Sequence, residues 1–272
     1  LQPQHAPGLQ KGVGDEGGGM KKLKILRWRR GEVQAVEDLV AEEGLLRVDI
    51  GGTVSFDASI TPEKIRPFVY GHLLTEGLIE SVDDVLDYFE YVKGGIVHVK
   101  VRLRRQPLQP FHRSYNVVWT ECGHVRLLDE ELRPPKGVRV SARGIIDIPR
   151  LIRDEVGEFR LTGAYHYAFL FDPDLNLRAK AKDIGRHNAV DKAIGEELLR
   201  GAPLSERILY TTGRVTVDIV LKCLRSGVPL LISRSAPLSG AVELASRYGL
   251  GLIGFLRGER FNIYSGEEMI TP

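Results

Sequence analysis

From about Thr162 onward the sequence alternates between short apolar runs and helical patterns, and this alternation limits the fold more than any other feature. YHYAFLF, LRAKAK, RILYT, VPLLIS, GLIGFL and FNIYS read as strands, and helices are expected from His187, Val215 and Leu238. The pattern predicts an α/β fold in which a largely parallel sheet carries helices on its faces.

A second regularity sits on the first. A strand runs into a small-residue turn and then a helix start at Asp183-Ile184-Gly185-Arg186-His187-Asn188, at Thr211-Thr212-Gly213-Arg214 and at Ser233-Arg234-Ser235-Ala236-Pro237. Such turns are expected to present free backbone N–H groups and the positive end of a helix dipole at the carboxyl edge of the sheet. Glycine lets a ligand approach the backbone, serine and threonine add hydroxyls, and each arginine adds a planar, permanently charged fork suited to phosphate. The stretch Phe255-Leu256-Arg257-Gly258-Glu259-Arg260 adds two more arginines after another strand. Ordinary helix capping accounts for any one of these turns; together they point to a ligand with more than one phosphate. There is no Walker A sequence, GxGxxG fingerprint, HExxH or GxSxG, which removes support from ATPase, dinucleotide-dehydrogenase, zinc-protease and serine-hydrolase readings.

The first half is organised differently. Residues 1–19 are rich in Gly, Gln and Pro and read as a disordered extension ahead of Met20. KKLKILRWRR, LLRVDIGG and TVSF are plausible strands. In TPEKIRPFVYGHLLTEGLI, Thr61 is a helix N-cap candidate, Pro62 suits the first helical position and Gly77 is the natural stop, with a kink or break expected at Pro67. His72 in that helix reads as a packed residue rather than a ligand. VLDYFEYV and GGIVHVKVRL form a strand pair joined near Gly94-Gly95. Residues 104–140 read as a long connection with one strand around Tyr115–Trp119. The expected division is therefore the extension over 1–19, a smaller α+β domain over 20–140 and an α/β domain over 141–272.

Of the 272 residues 43% are hydrophobic and 27% charged, with a formal net charge of +2. That balance argues against a dedicated nucleic-acid binder. No apolar run approaches the roughly 20 residues that cross a bilayer, and no signal-peptide core opens the sequence, so a cytoplasmic protein without membrane contact is expected. The two cysteines, Cys122 and Cys223, cannot supply the usual thiolate set of a structural zinc site. Cys223 falls in a helical apolar pattern and reads as core packing. Cys122 lies in ECGH within the long connection, where the nearby His124 favours a thiolate. A zinc deaminase would need H-x-E and then P-C-x-x-C, but Ala168 stands two residues after His166 and no such cysteine pair follows. No metal site is expected.

TGAYHYAFLFD, DIGRHNAVDKAIG, TTGRVTVDIVLKCLRSGVPLLISRSAPLSGAVELA and LIGFLRGERFNIYS together closely resemble the formate dehydrogenase accessory sulfurtransferases of the FdhD/NarQ type. HLLTEGLI and the cysteine loop extend the resemblance back to about residue 45. It implies a cytidine-deaminase-like C-terminal domain without zinc chemistry, and a homodimer. It also implies a sulfur relay from a cysteine desulfurase to the bis-guanine-dinucleotide molybdenum (or tungsten) cofactor of formate dehydrogenase, whose catalytic subunit is the client. The cysteine that carries the persulfide maps onto Cys122, and the cofactor-contacting segment maps onto Phe255–Arg260. Contacts from Gly185, Arg186, His187, Asn188, Gly213, Arg214, Ser233 and Ser235 are inferred here from the anion geometry of the turns, for a guanine-nucleotide-type ligand. Where such proteins commonly have C-G-x-C, this sequence has Val125 at the fourth position. That substitution favours Cys122 acting alone, and it also supports a competing reading as a cofactor-binding chaperone that moves no sulfur. A nucleotide-modifying enzyme on the same scaffold is the third possibility, which the absent zinc set disfavours.

Overall fold

The computed structural model describes residues 19–105, 132 and 137–272. In chain order its strands are β1 (Met20–Arg29), β2 (Glu32–Ala41), β3 (Gly44–Ile50), β4 (Val54–Ile60), β5 (Val85–Lys93), β6 (Ile96–Leu103), β7 (Val140–Ser141), β8 (His166–Phe171), β9 (Leu177–Asp183), β10 (Ile208–Thr211), β11 (Leu230–Ser233), β12 (Gly251–Arg257), β13 (Arg260–Ser265) and β14 (Ile270–Thr271). The α-helices are α1 (Ile65–Thr75), α2 (Ala142–Leu151), α3 (Gly157–Thr162), α4 (Arg186–Leu199), α5 (Val217–Ser226) and α6 (Ser239–Tyr248).

The α/β expectation for the second half is met by a six-stranded sheet in the order β13-β12-β11-β10-β8-β9. Its direction is a correction. Only β10, β11 and β12 pair in parallel, whereas β8 runs antiparallel to β10, β9 to β8, and β13 to β12. Helices separate the three parallel strands, while β8–β9 and β12–β13 are joined by short turns, which allow only antiparallel neighbours. Because β8 is reversed between them, β9 points the same way as β10. The carboxyl ends of β9, β10, β11 and β12 therefore share one edge.

The central strands are covered on both faces, which is why ILYT and LLIS read as continuous apolar runs. One face presents Ala168, Leu170, Ala181, Leu209 and Leu231 to Val190 and Ile194 of α4, Ile219 and Cys223 of α5, and Leu244 of α6. The other presents Tyr167, Phe169, Ile208, Tyr210 and Ile232 to Ile145 and Ile148 of α2. The sequence reading did not find α2, since Gly144 and Pro149 interrupt its pattern; Ser141 caps it by accepting the amide of Gly144 at 3.0 Å.

In the first half, β3–β6 form a four-stranded sheet in the order β4-β3-β6-β5, joined by β5 and β6 as expected around Gly94-Gly95. Helix α1 lies against it and crosses α4, so one apolar cluster runs from Val48 and Val99 through Phe68 and Leu73 to the large sheet. The crossing is closer than any side chain permits. A Cβ on Gly71 would stand 1.8 Å from the Asp191 carbonyl oxygen, and one on Gly195 would stand 1.8 Å from that of Pro67. Gly77 follows the helix with φ 74, the expected stop. Thr61, however, is not the N-cap: the helix starts at Ile65 after Lys64, and Thr61 is drawn into the second half by bonds described below. Pro67 causes no break, because it occupies the first turn, where the missing N–H has no intrahelical partner.

Strands β1 and β2 make a separate two-stranded hairpin, of which β2 was not read from the sequence, and β7 and β14 pair in parallel. Gly19 at its base is buried and accepts the Tyr165 hydroxyl, so this residue belongs to the fold. The rest of the expected extension, the strand around Tyr115–Trp119, and Cys122 lie outside the described residues. Among the described residues no helix is long and apolar enough to cross a membrane.

Candidate functional site

The turns singled out in the sequence meet at the common carboxyl edge, and they are tied to one another. Ser233 Oγ donates to the Gly213 carbonyl at 2.7 Å and accepts the Ser235 amide at 2.9 Å. The Arg234 amide reaches Thr211, Val215 reaches Ala236, and Phe255 reaches Ser235, all through backbone carbonyls at 3.0–3.1 Å. Arg257 Nε closes the row on the Arg234 carbonyl at 3.0 Å. Phe255 takes a left-handed φ of 54 where the β12–β13 register shifts, and Gly258 follows with φ 58. The stretch Phe255–Arg260 is thus the last member of the row. Its side chains divide: Leu256 is buried in the core, while Arg257, Gly258, Glu259 and Arg260 are exposed.

This lacing corrects one expectation. The amides of Gly213, Arg234 and Ser235 are not free for an anion, because Thr211 Oγ1, the Thr211 carbonyl and Ser233 Oγ already accept them. Helices α5 and α6 also begin later than expected, at Val217 and Ser239, so their N-termini stand back from the turns. The edge instead carries five arginines on its laced frame, Arg214, Arg234, Arg257 and Arg260 exposed and Arg186 half-buried. The exception is α4, which starts immediately at Arg186 after Gly185, leaving the first-turn amides of His187 and Asn188 without intrahelical acceptors.

That turn is held from beneath by a buried ion pair. Asp183 Oδ2 lies 2.7 Å from Lys192 Nζ, both side chains being fully buried. Asp183 also accepts the amides of Gly185 at 2.8 Å and Thr61 at 3.1 Å, and the Asn188 amide group at 3.0 Å. Lys192 donates to the Thr61 carbonyl, and the Thr61 hydroxyl accepts the Ile184 amide. Asn188, inferred as a ligand contact, therefore uses its side chain on Asp183 and on the Ser59 carbonyl at 2.8 Å. Burial pulls the Lys192 pKa down, and Asp183 opposes that. Arg186 lies across Gly213, where an added Cβ would come within 2.8 Å of the arginine's own. His166, opposite Asp183 at the start of β8, has its pKa lowered by burial and then by Arg186.

His187 points the other way, between α4 and α5, with Nε2 3.4 Å from Thr216 Oγ1. Burial, then Arg186 and Lys222, push its pKa down to about 4. Deeper in this layer, Asp191 accepts from Lys222 Nζ at 2.8 Å and from Thr75 Oγ1 at 2.7 Å, with His72 Nδ1 3.0 Å away. Burial opposes its charge, but Lys222 and His72 prevail and hold the pKa at about 2. His72 is packed as expected, stacked on Phe68 and tilted on Phe56. Cys223 is fully buried, and burial raises its thiol pKa, which makes it an inert core residue.

One part of the site carried no signal in the sequence. A cleft of about 620 Å³ opens beside the start of α4, lined by Asp38, Glu43, Ser59, Thr162, Ile184 and Gly185 among others. These residues come from four separate segments, and only the fold brings them together. Among the described residues no group of three or more His, Cys, Asp or Glu side chains is placed to hold a metal ion.

The FdhD/NarQ family model matches residues 41–271, which takes in every element of the edge. The chain belongs to the FdhD/NarQ family. Similar family members include the sulfur carrier protein FdhD of Sulfurisphaera tokodaii, 39% identical over 92% of this chain and 99% of that one. The sulfur carrier protein FdhD of Nocardia farcinica is 36% identical over 87% and 89%. Among solved structures, a protein assigned as a formate dehydrogenase accessory protein from Desulfotalea psychrophila superimposes with a TM-score of 0.76. It is 26% identical, and the match covers 93% of this chain and all of that one.

Proposed function

We propose that this chain accepts sulfur from a cysteine desulfurase as a persulfide on Cys122. It would pass that sulfur to the bis-guanine-dinucleotide molybdenum or tungsten cofactor destined for formate dehydrogenase, the two electrons that reduce the sulfane sulfur coming from the metal centre or from an external reductant. The curated relatives are named sulfur carriers, and ECGH supplies the one cysteine suited to the task. The observation that carries the reading is the arginine row on its laced frame, beside the first turn of α4. A dinucleotide cofactor is the cargo such a row suits: pyrophosphates can lie along Arg214, Arg234 and Arg257, with Gly185 and Arg186 taking the next anion. The reading includes a homodimer and a cytidine-deaminase-like lineage for the mixed sheet.

In the first step the Cys122 thiolate attacks the terminal sulfur of the donor's persulfide. The donor's S–S bond breaks, its cysteine leaves as a thiolate, and the new S–S bond resides on Cys122. With Val125 at the fourth position of the loop, no neighbouring thiol can close a disulfide as sulfur departs. The same substitution favours the alternative of a cofactor chaperone that transfers no sulfur. Mass spectrometry after incubation with a desulfurase and cysteine separates the two. One added sulfur is expected on Cys122, with buried Cys223 unmodified as an internal control. An unmodified Cys122, or equal loading of Cys122→Ala, leaves only the chaperone.

A further inference from the structure

His166 has no part in the relay above, yet it stands in the middle of the edge. Strand β8 runs antiparallel to both of its neighbours, so its first residue lies between the carboxyl ends of β9 and β10. Ligands of open α/β sheets bind outside the carboxyl ends of the strands. Tyr167, Phe169 and Phe171 fill the core under α2, so the alternate residues Ala168 and Leu170, and His166 with them, face α4. There His166 is half-buried, with Asp183 opposite it on β9. On the β10 side Tyr167 bonds Thr212 twice, its amide to the hydroxyl at 3.0 Å and its carbonyl from the amide at 3.1 Å. One step further along that pairing His166 falls beside Gly213, the residue that Arg186 lies across. Among the described residues the imidazole makes no hydrogen bond, ion pair or ring contact.

We infer that His166 is the proton-carrying contact of the cargo site: it takes up a proton from solvent as a pyrophosphate settles on Arg186, and donates a hydrogen bond to that anion. The inference rests on the cofactor reading above and adds a residue which that reading does not assign. Two charges act on the ring. Burial and Arg186, at the start of α4, disfavour the imidazolium, and Asp183 of β9 favours it, although that carboxylate is already paired with Lys192. Strand β10 ends in Thr211 and the turn continues with Thr212, neither of which titrates. An anion reverses the balance, because its charge offsets the guanidinium and its oxygens accept a charge-assisted bond from the ring. The bound protein then holds more protons than the ligand-free protein. Affinity therefore rises as pH falls through the ligand-bound titration of His166. His187 does not duplicate this role, since it points between α4 and α5 and titrates at about 4.

Calorimetric titration of the full chain with GppG, two guanosines joined by a pyrophosphate diester, tests this. A GDP terminal phosphate titrates at about pH 6, whereas the diester keeps its charge across the range. Wild type should bind GppG roughly fivefold tighter at about pH 6 than at about pH 8, less than the tenfold that one full pKa unit gives. Its binding heat between those values should differ in buffers of unlike ionisation enthalpy, with the sign of proton uptake. His166→Gln should bind equally at the two pH values and take up no proton; a residue that only supported the fold would change affinity at both and leave the pH gain in place. A wild-type heat that ignores the buffer, or a His166→Gln variant that keeps the pH gain, overturns the inference and leaves the cofactor reading standing. No binding of GppG at either pH overturns the cargo site and the inference with it, and sulfur loading of Cys122 is read separately.

Discussion

The α1–α4 crossing and the carboxyl edge of the large sheet lie a few turns of chain apart and treat polar groups in opposite ways. At the crossing two backbones touch through Gly71 and Gly195, and the charges of Asp191 and Lys222 are satisfied inside the protein by each other, Thr75 and His72. At the edge the backbone is satisfied by its own loops, and the charge is carried outward on arginines. Polar residues at the first place therefore specify the fold, while at the second Arg214, Arg234, Arg257 and Arg260 stand exposed. Mutations should separate the two roles.

The largest effect is expected at the crossing. Gly71→Leu must displace a backbone that a bare Cβ already meets at 1.8 Å, and it should cost more than about 4 kcal/mol. Chemical denaturation should find little or no native baseline; near-normal stability would show that the helices can part. Next comes Lys222→Met, which leaves the buried Asp191 carboxylate without its ammonium partner and should cost about 3–5 kcal/mol. Combining it with Asp191→Leu should recover part of that loss, since Asp191 is then no longer stranded, while the buried Glu76 carboxylate, 3.5 Å from Lys222 Nζ, still loses that partner.

Acid probes the same layer without mutation. His187 is neutral in the folded protein down to about pH 4, while the unfolded state binds its proton near 6.5. The unfolded state thus holds more protons between those values, and stability should decline as pH falls from about 6.5 to about 4. Asp191, with its folded pKa at about 2 against the ordinary 3.8, adds stability above 3.8 that is lost as pH falls through about 2. Denaturant midpoints measured against pH should show both phases, and His187→Asn should flatten only the upper one. The smallest change in stability belongs to the edge. Arg234→Ala should leave the midpoint within about 0.5 kcal/mol and weaken GDP binding roughly five- to tenfold, with a shallower salt dependence. Unchanged GDP affinity would remove Arg234 from the anion row.

Much of this was legible because it rests on local pattern. The strands of the second half, the starts of α4 to α6 within two residues, and the inert Cys223 all follow from periodicity over a few residues. Strand direction did not follow, because it depends on whether a connection is a helix or a tight turn, and Asp172–Asn176 carries no helical pattern that could be missed or found. The amides of Gly213, Arg234 and Ser235 were misjudged for a related reason: their acceptors lie on neighbouring loops about twenty residues away or in the side chain at the strand end. Thr61 looked like a cap because Thr-Pro-Glu begins helices. Its three bonds to Asp183, Ile184 and Lys192 depend on residues more than a hundred positions along the chain. Cys122 was singled out on sequence alone and lies outside the described residues.

The lacing of the edge has a dynamic consequence. Because each loop from Gly213 to Arg257 hangs on the next by a backbone or hydroxyl bond, no single loop can swing without breaking its neighbour's contacts. The rim is set before any cargo arrives, so little conformational entropy remains to be lost on docking. On the proposed reading, selectivity for cargo must then come from shape and charge spacing rather than from closure, and release must be driven from outside the rim.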